Sequence, residues 1–452
     1  MFKLSLTYIL LLFVFHTTIA QESINFLSIN KNTYELYQKK DWKGLIPLAK
    51  SGIKKNIDYF YLRMRLGIAY YEQGKYRQAI PHFRKALDFN SKDLFAQEYL
   101  YFSYLFSGRE SDAGNLISKF PKSLTDKLKI ETKQGISGFS VFNTYTWNMD
   151  PVSADSYSPG VDASLLDGWQ NITENFNLFN FNIEHQISNR LTFYYGYGFL
   201  SKSRFHYNQY ENEDYRIPND IFNQHQFYFS GSVLAGRGLL VNYTIHYLNL
   251  RPNIYYTQSG SGFGGGQSST LRYVDPMNNW VGYFSINKES GLFNLGAGLA
   301  YSNLNEQNQF QKDIILAFYP LGNLNLYTVS KISRQSEFYQ NKQIRQHFIF
   351  DQVVGIKLFN PVWIEMNGTF GDITNYTDKG GLVIYNEMNR IKSRMAMNLI
   401  VPIIGKGLEF YVMYEYQENE SYFYSTTTTT LDFFNQINYS TQNLTGGIKW
   451  KF

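Results

Sequence analysis

The chain has 452 residues, 42 Lys and Arg against 37 Asp and Glu for a net charge of +5, 38 Tyr, 37 Phe and no cysteine. Without cysteine there is no disulfide framework, zinc–thiolate site, thiol nucleophile or lipid-modified N-terminal cysteine. No segment after the N-terminus approaches eighteen consecutive apolar residues, which excludes a bundle of membrane helices. At the N-terminus, Lys3 precedes an apolar run from Tyr8 to Phe15 and the small-residue site Thr18-Ile19-Ala20 before Gln21, which predicts a secretory signal peptide over residues 1–20. The run is too short to span a bilayer well, so insertion after export falls to strands. Charge divides the rest: residues 22–130 hold 19 basic and 11 acidic residues, net +8, and residues 131–452 hold 22 and 26, net −4, with Lys3 supplying the remaining +1. The basic excess reads as solubilising lysines on helical surface, with an anionic lipid or an acidic polymer facing it as the alternative, and no nucleic-acid partner is expected.

From Ser28 to about Thr125 the chain repeats at 34 residues. Tyr70 recurs as Tyr104, Gly74 as Gly108 and Ala79 as Ala113, while Tyr76, Ile80 and Pro81 match Trp42, Ile46 and Pro47 one step earlier. The best copy has Leu66, Gly67, Tyr70, Gly74, Tyr76, Ala79, Phe83 and Ala86 at its packing positions. Gly67 and Ala79 are small where two helices cross, Tyr70 and Phe83 fill the gap between neighbouring pairs, and Gly74 turns the chain. This run looks like a tetratricopeptide repeat, and the flanking copies depart from it with Thr33 and Tyr101 in place of the key glycine. The resemblance implies a short α-solenoid of about three repeats, the minimum for a stacked core, whose concave face holds an extended segment of a protein partner.

Beyond Glu131 the periodicity becomes alternating, which sets a boundary near residues 126–134 between a helical domain, 21–130, and a β domain, 131–452. Leu191, Phe193, Tyr195, Tyr197 and Phe199 alternate with Thr192, Tyr194, Gly196 and Gly198, and Phe293, Leu295, Ala297, Leu299 and Tyr301 with Asn294, Gly296, Gly298 and Ser302. Such segments predict about fourteen strands, near 135–147, 172–187, 191–205, 221–234, 238–250, 277–288, 292–304, 308–319, 323–335, 343–358, 361–375, 389–402, 407–422 and 439–452. Tight connections, such as Ser188-Asn189-Arg190 and Gly236-Arg237, alternate with long ones at 148–171, 206–220, 251–276 and 376–388. Short periplasmic turns and long outer loops are the asymmetry of transmembrane barrels. An even strand count puts both barrel ends on the periplasmic side with residues 21–130. A core enclosed by so many strands would be too wide to fill, so the apolar face belongs outside. Ser259–Gly266 and Thr426–Thr430 read as outer loop tips.

In this register the inward face carries Glu184, Asp313, Arg345, His347, Asp351, Lys357, Glu365, Lys392, Arg394, Glu409 and Glu415, while Phe350, Met395 and Met397 point outward to lipid. A pore selective for one ion sign carries a ring of like charge. Mixed signs predict an internally paired network, either a salt-bridged plug or a weakly selective lumen. Barrel hydrolases use a Ser-His pair with a polar orienting residue. His185, His206, His225, His246 and His347 are available, but none has a serine and an Asn or Asp at a distinguishing spacing, and His185 and His225 have lipid-facing parity. There is no phosphate loop, His-Glu-x-x-His pair or paired-carboxylate motif, so no catalytic residue, cofactor or metal is expected.

The chain ends Leu444-Thr-Gly-Gly-Ile448-Lys-Trp450-Lys-Phe452, with Leu444, Ile448, Trp450 and Phe452 on one strand face and both lysines on the other. This terminus resembles the insertion signal of bacterial outer-membrane β-barrels, which implies outer-membrane lipid and the barrel-insertion machinery as partners. Tetratricopeptide repeats joined to a C-terminal barrel resemble the two-part outer-membrane proteins of exopolysaccharide export and the smaller YaiO-like barrels. The abundance of Tyr, Asn and Phe looks like Bacteroidetes-type envelope proteins. The expectation is a non-enzymatic outer-membrane protein of a Gram-negative bacterium. A periplasmic adaptor binds a protein partner and couples it to export or surface display, with a polysaccharide as the implied cargo. The alternatives are a plugged barrel acting as anchor or assembly factor, and a barrel lipid hydrolase.

Overall fold

The computed structural model describes residues 25–130, 134–160, 167–210, 213–258, 269–340, 342–403, 405–425 and 432–452. The expected signal peptide, Ser259–Gly266 and Thr426–Thr430 lie outside the described residues. Compactness divides the chain between Ser103 and Tyr104, whereas helix gives way to strand between Leu128 and Gly135.

The helices are α1 Phe26–Gln38, α2 Trp42–Lys54, α3 Phe60–Glu72, α4 Tyr76–Phe89, α5 Leu94–Leu105, α6 Glu110–Ile117 and α7 Lys122–Leu128. Side-chain caps start the first two: Asn25 accepts from the Ser28 amide at 2.9 Å and Asp41 from the Gly44 amide at 3.0 Å. Left-handed residues stop α1, α3 and α5 at 34-residue intervals, Lys40 at φ 54°, Gly74 at 70° and Gly108 at 76°. In each case the next amide bonds back to a carbonyl near the helix end: Asp41 to Leu36, Lys75 to Tyr70, Arg109 to Tyr104, all at 2.9 Å. The middle pair is packed tightest. Leu66, Ala79, Phe83 and Ala86 are fully buried, and a Cβ on Gly67 would lie 2.6 Å from the Phe83 ring, so only glycine allows this crossing. Phe83 stacks on Tyr99 of α5 with centroids 5.2 Å apart, Tyr70 stacks on His82 at 5.6 Å, and Tyr76 packs edge-on against Tyr71 at 5.1 Å. In α1 the side chain at the glycine-equivalent Thr33 folds back onto the Ile29 carbonyl at 2.6 Å, which lets a larger residue sit at the crossing.

The strands are β1 Gly135–Asn148, β2 Asp167–Ser188, β3 Leu191–Tyr210, β4 Glu213–Gly236, β5 Leu239–Arg251, β6 Asn253–Gln258, β7 Ser269–Val274, β8 Met277–Ser290 and β9 Phe293–Ser302. They continue as β10 Asn308–Phe318, β11 Leu326–Tyr339, β12 Lys342–Phe359, β13 Val362–Ile373, β14 Tyr376–Asp378, β15 Val383–Tyr385, β16 Arg390–Ile403, β17 Leu408–Ser425 and β18 Asp432–Lys451. A short helix, α8 Pro151–Ser156, lies between β1 and β2. Fourteen strands close an antiparallel barrel in the order β1-β18-β17-β16-β13-β12-β11-β10-β9-β8-β5-β4-β3-β2, and β6–β7 and β14–β15 form separate hairpins. The expected fold class, a helical repeat region followed by a closed antiparallel barrel of fourteen strands, is the observed one.

Closure depends on the two chain ends of the barrel. Phe139 opposes Trp450, Val141 opposes Ile448 and Tyr145 opposes Leu444. The Thr144 and Thr445 hydroxyls bond at 2.8 Å, and the Phe452 amide donates to the Ser137 carbonyl at 2.9 Å. A Cβ on Gly138 would lie 2.6 Å from the Trp450 carbonyl oxygen, so the closing seam has no room for a side chain there. Outside, apolar residues alternate with the buried polar row: Ile314, Ile332, Phe348, Phe350, Met366, Met395, Met397, Leu444 and Ile448 are exposed. A ring with no free edge satisfies its backbone internally, and its outer face is the apolar one.

Three connections differ from the alternation pattern, one of them 251–276, which carries the β6–β7 hairpin. Residues 206–220 are mostly strand: β3 and β4 pair out to Tyr210 opposite Glu213, held in part by Arg204 to Asp220 at 2.6 Å and Asn253 to Asp220 at 2.5 Å. Polar residues interrupt the alternation there, but side-chain bonds to β6 take over from it. Residues 376–388, expected as an outer loop, carry β14 and β15 inside the ring.

Candidate functional site

The site is the lumen. The segment from Thr374 to Asn389 leaves the end of β13, crosses the interior and returns to β16. Tyr376 is fully buried and its hydroxyl meets Ser333 of β11 at 2.9 Å. Gln311 of β10 donates to the Thr377 carbonyl at 2.8 Å, and Gln335 of β11 donates to the Thr374 carbonyl at 3.0 Å. His246 of β5 donates from Nδ1 to the Gly381 carbonyl at 2.9 Å. On the far wall Lys202 of β3 pairs with Glu387, and Asn389 donates to the Asn171 carbonyl of β2 at 2.8 Å. Gly381, at φ 89°, lies so close to β5 and β8 that a Cβ would stand 2.9 Å from Tyr283 and 3.0 Å from Thr244. One loop is thus bonded to strands on opposite sides of the ring.

Its electrostatic seat is Asp378, 3% exposed. Asp378 pairs with Lys331 of β11 and, at 2.7 Å, with Arg394 of β16. Arg394 also faces Asp351 and Glu415, each at 3.7 Å. Asp351 accepts from Thr369 at 2.6 Å and from Asn367 at 3.0 Å, and Glu415 accepts from Asn443 at 2.7 Å. A paired, hydrogen-bonded charge set is the form in which buried charge is tolerated.

The other lumen candidates form satellites around this belt. Towards the loop-bearing end, Arg345 pairs with Glu337 at 2.8 Å and His347 with Asp372 at 2.8 Å, while Lys392 and Arg390 hold Glu420 at 2.9 and 3.3 Å. Asp313 accepts from Tyr283 at 3.0 Å and from Gln311 at 2.9 Å. Towards the turn-bearing end, Glu365 accepts from Tyr327 and Glu409 from Tyr411. There too Lys357 lies 4.5 Å over the Trp363 ring, and Glu184 stands 3.4 Å from the Ser137 hydroxyl. Of these candidates only Asp351, Arg394 and Glu415 belong to the central belt, and Lys392 is exposed, at a shift in the β16–β17 register, away from the buried row. The expected inward set omits Asp378 and Tyr376 because a loop, not a barrel strand, supplies them; it also omits Lys331, a β11 residue on the same face as the buried Ser333 and Gln335.

Beside the loop remains a cavity of about 500 Å³, bounded by β1–β4, β16–β18 and loop residues 379–389. At the turn-bearing end, α6 lies on the turns. Glu110 pairs with Lys451 at 2.9 Å, Asp112 accepts from the Gly238 amide at 3.0 Å, and Arg190 donates to Asn115 at 2.6 Å. A Cβ on Gly108 would stand 3.0 Å from Leu324. These contacts come from β18, the β2–β3 turn, the β4–β5 turn and the β10–β11 turn, so the segment from Gly108 to Asn115 bridges separated sectors of the rim.

Among the described residues no group of acidic or histidine side chains is arranged to hold a metal. The partners of His185, His206, His225 and His347 are Tyr195, Asn171, Tyr197 and Asp372.

The tetratricopeptide repeat family model matches residues 61–93. Comparison with curated proteins finds no match. Among solved structures, MamA from AMB-1 is 23% identical over 24% of this chain, with a TM-score of 0.22, and this chain spans a little over half of its length, 57%. The TodX monoaromatic hydrocarbon channel deltaS2 mutant is 9% identical over 71% of this chain and 91% of its own, with a TM-score of 0.42. A Pseudomonas aeruginosa FadL homologue is 7% identical over 70% and 90%, with a TM-score of 0.38. The barrel is established by its own strand register, and the repeat by its matched residues.

Proposed function

We propose that this chain is a non-enzymatic outer-membrane barrel whose lumen is a gated conduit, shut at rest by the loop from Thr374 to Asn389, with the helical repeats on the periplasmic side as adaptor for a protein partner. The observation that carries this reading is the seat of the loop: it is held across the lumen chiefly by ion pairs and amide bonds centred on Asp378. Buried ion pairs come close to break-even against desolvation, so they fix a position without making its release prohibitive. Membrane placement is supported by the closed ring, the exposed apolar rows and the expected signal peptide. The resemblance to YaiO-like and exopolysaccharide-export barrels makes a polysaccharide the first cargo to test, and the terminal strand makes barrel-insertion machinery a partner.

Planar-bilayer conductance tests the gate. Wild-type protein is expected to be silent, and a variant lacking Tyr376–Tyr385, or carrying Asp378→Ala, to give discrete open steps. A barrel that inserts but stays silent in all three forms is a plugged anchor, the alternative that the dense bonding of the loop favours.

A further inference from the structure

The outer face of the barrel carries two cations that nothing in the gate explains. Lys312 of β10 and Arg334 of β11 are both exposed and stand directly opposite each other in the antiparallel register. Their strand neighbours Asp313 and Ser333 are buried on the lumen side. Like charges opposed on adjacent strands repel, and a charge on a lipid-facing row is unfavourable the deeper it lies. No carboxylate among the described residues is paired with either cation. Lys312 lies 5.3 Å over the Phe310 ring, while Arg334 lies 5.9 Å over the Phe348 ring and donates to Gln346 at 2.9 Å. The acids closest along the chain face inward, Asp313 accepting from Tyr283 and Glu337 pairing with Arg345.

The register orders this outer patch in three rows. Nearest the turn-bearing end, Ile314, Ile332 and Phe350 lie side by side and are exposed. The cations form the next row, with Phe348 opposite Arg334. Towards the loops, Ser336 and Gln346 oppose each other beside Phe310. Apolar, cationic and polar thus follow one another as acyl chain, phosphate and headgroup do in a lipid leaflet. Depth agrees: Lys312 stands four residues from Asn308 and six from Phe318, the two ends of β10. At about 3.3 Å per residue and a tilt of about 40°, its Cα lies roughly 10 Å below the loop-bearing edge. Long stems on the apolar wall carry both charged heads up towards the interface.

We propose that the outward face of β10–β12 around Lys312 and Arg334 binds the phosphate of an anionic lipid in the leaflet on the loop-bearing side. The inference rests on the membrane placement proposed above and is indifferent to the gate. Acceptor oxygens on one phosphate can serve both cations, which turns a repelling pair into a bridged one. The row from Ile314 to Phe350 takes the acyl chains, so a free phosphate ion meets the same charges without that apolar contact.

The test is native mass spectrometry of the full-length protein in dodecyl maltoside, with dioleoylphosphatidic acid, dioleoylphosphatidylcholine and dioleoylglycerol as chain-matched probes. Phosphatidic acid is expected to bind saturably and at least about tenfold tighter than the other two, and Lys312→Gln and Arg334→Gln to weaken it by about fivefold each. Lys288→Gln, at an exposed outward position of β8 near the turn-bearing end, is expected to leave it unchanged, and inorganic phosphate is expected not to displace the lipid. Each change at Lys312 and Arg334 removes a charge from an exposed row, so heat-resistant gel mobility should be kept, and either single variant carries the comparison alone. Equal affinity for all three lipids, a preference that survives the double variant or is lost equally with Lys288→Gln, or full displacement by inorganic phosphate would each overturn the proposal. A chain that stays in solution without detergent and carries no lipid would refute the membrane placement itself, and the site with it.

Discussion

Gly67 and His82 show what single residues do in the repeat unit. A methyl on Gly67 would press on the Phe83 ring at 2.6 Å, and both residues are buried. Gly67→Ala is therefore expected to destabilise the repeat unit by about 1–3 kcal/mol through overpacking. Adding Phe83→Leu should recover part of this, because the two changes share one contact. Thermal unfolding of the full-length variants, followed by helical circular dichroism, measures the coupling, and strict additivity would refute the contact. His82 is pushed down to about 4, first by burial and then by the Arg63 and Lys50 charges. Its folded value lies below the ordinary 6.5, so the unfolded chain takes up the proton first. Stability is full above pH 6.5 and is expected to fall by about 1–2 kcal/mol as pH drops from 6.5 towards 4. Asp58, held below its usual range by the Arg63 hydrogen bond, titrates beneath that window. His82→Gln should flatten the slope between those limits in the same unfolding experiment, and an unchanged slope would assign the effect elsewhere. The small and aromatic positions were legible because they recur at 34 residues. The stacking of His82 on Tyr70 was not, since nothing in its spacing marks that position as buried.

At the scale of elements, alternation located the fourteen barrel strands because one face must be apolar and the other polar along each of them. It misread the segment at 206–220, where bonds among Arg204, Asp220 and Asn253 sustain pairing that the pattern does not advertise. It also left the direction of residues 376–388 open. A polar connection looks the same whether it hangs outside or folds in, and the partners that draw it in, Lys331, Gln311, Gln335 and His246, are scattered over the sequence. The mixed wall charges did predict internal pairing, but not that a loop would supply the acid at its centre. Gly381 gives an element-level prediction. Its positive φ and its distance from Tyr283 leave no room for a side chain, so Gly381→Val should unseat the loop while sparing the strands. More frequent open steps at unchanged heat-resistant gel mobility is the expected result, and silence with normal folding would show that the loop has another stable seat.

Over the whole molecule, the boundary of compactness and the boundary of secondary structure do not coincide. Residues from Tyr104 onward group with the barrel although they include helices α6 and α7. The reason lies in α6: Glu110 meets Lys451 of the closing strand, Asp112 caps the β4–β5 turn, and Asn115 takes Arg190 of the β2–β3 turn. A 34-residue repeat read from sequence assigns α6 to the solenoid, because the repeat pattern records only neighbours along the chain, and the rim contacts appear only when the ring is closed. Two truncations separate these roles. Removing residues 25–103 leaves all three of these bonds in place, so the barrel is expected to keep its unfolding temperature in detergent. Removing residues 25–130 strips Glu110, Asp112 and Asn115 from three places on the rim, including the strand that closes the ring. That barrel should unfold several degrees lower, since losing a few partly exposed bonds amounts to about 1–3 kcal/mol. Equal unfolding temperatures for the two truncations would mean that α6 merely rests on the rim. A loss already complete in the shorter truncation would mean that α6 needs the preceding repeats to hold its place there.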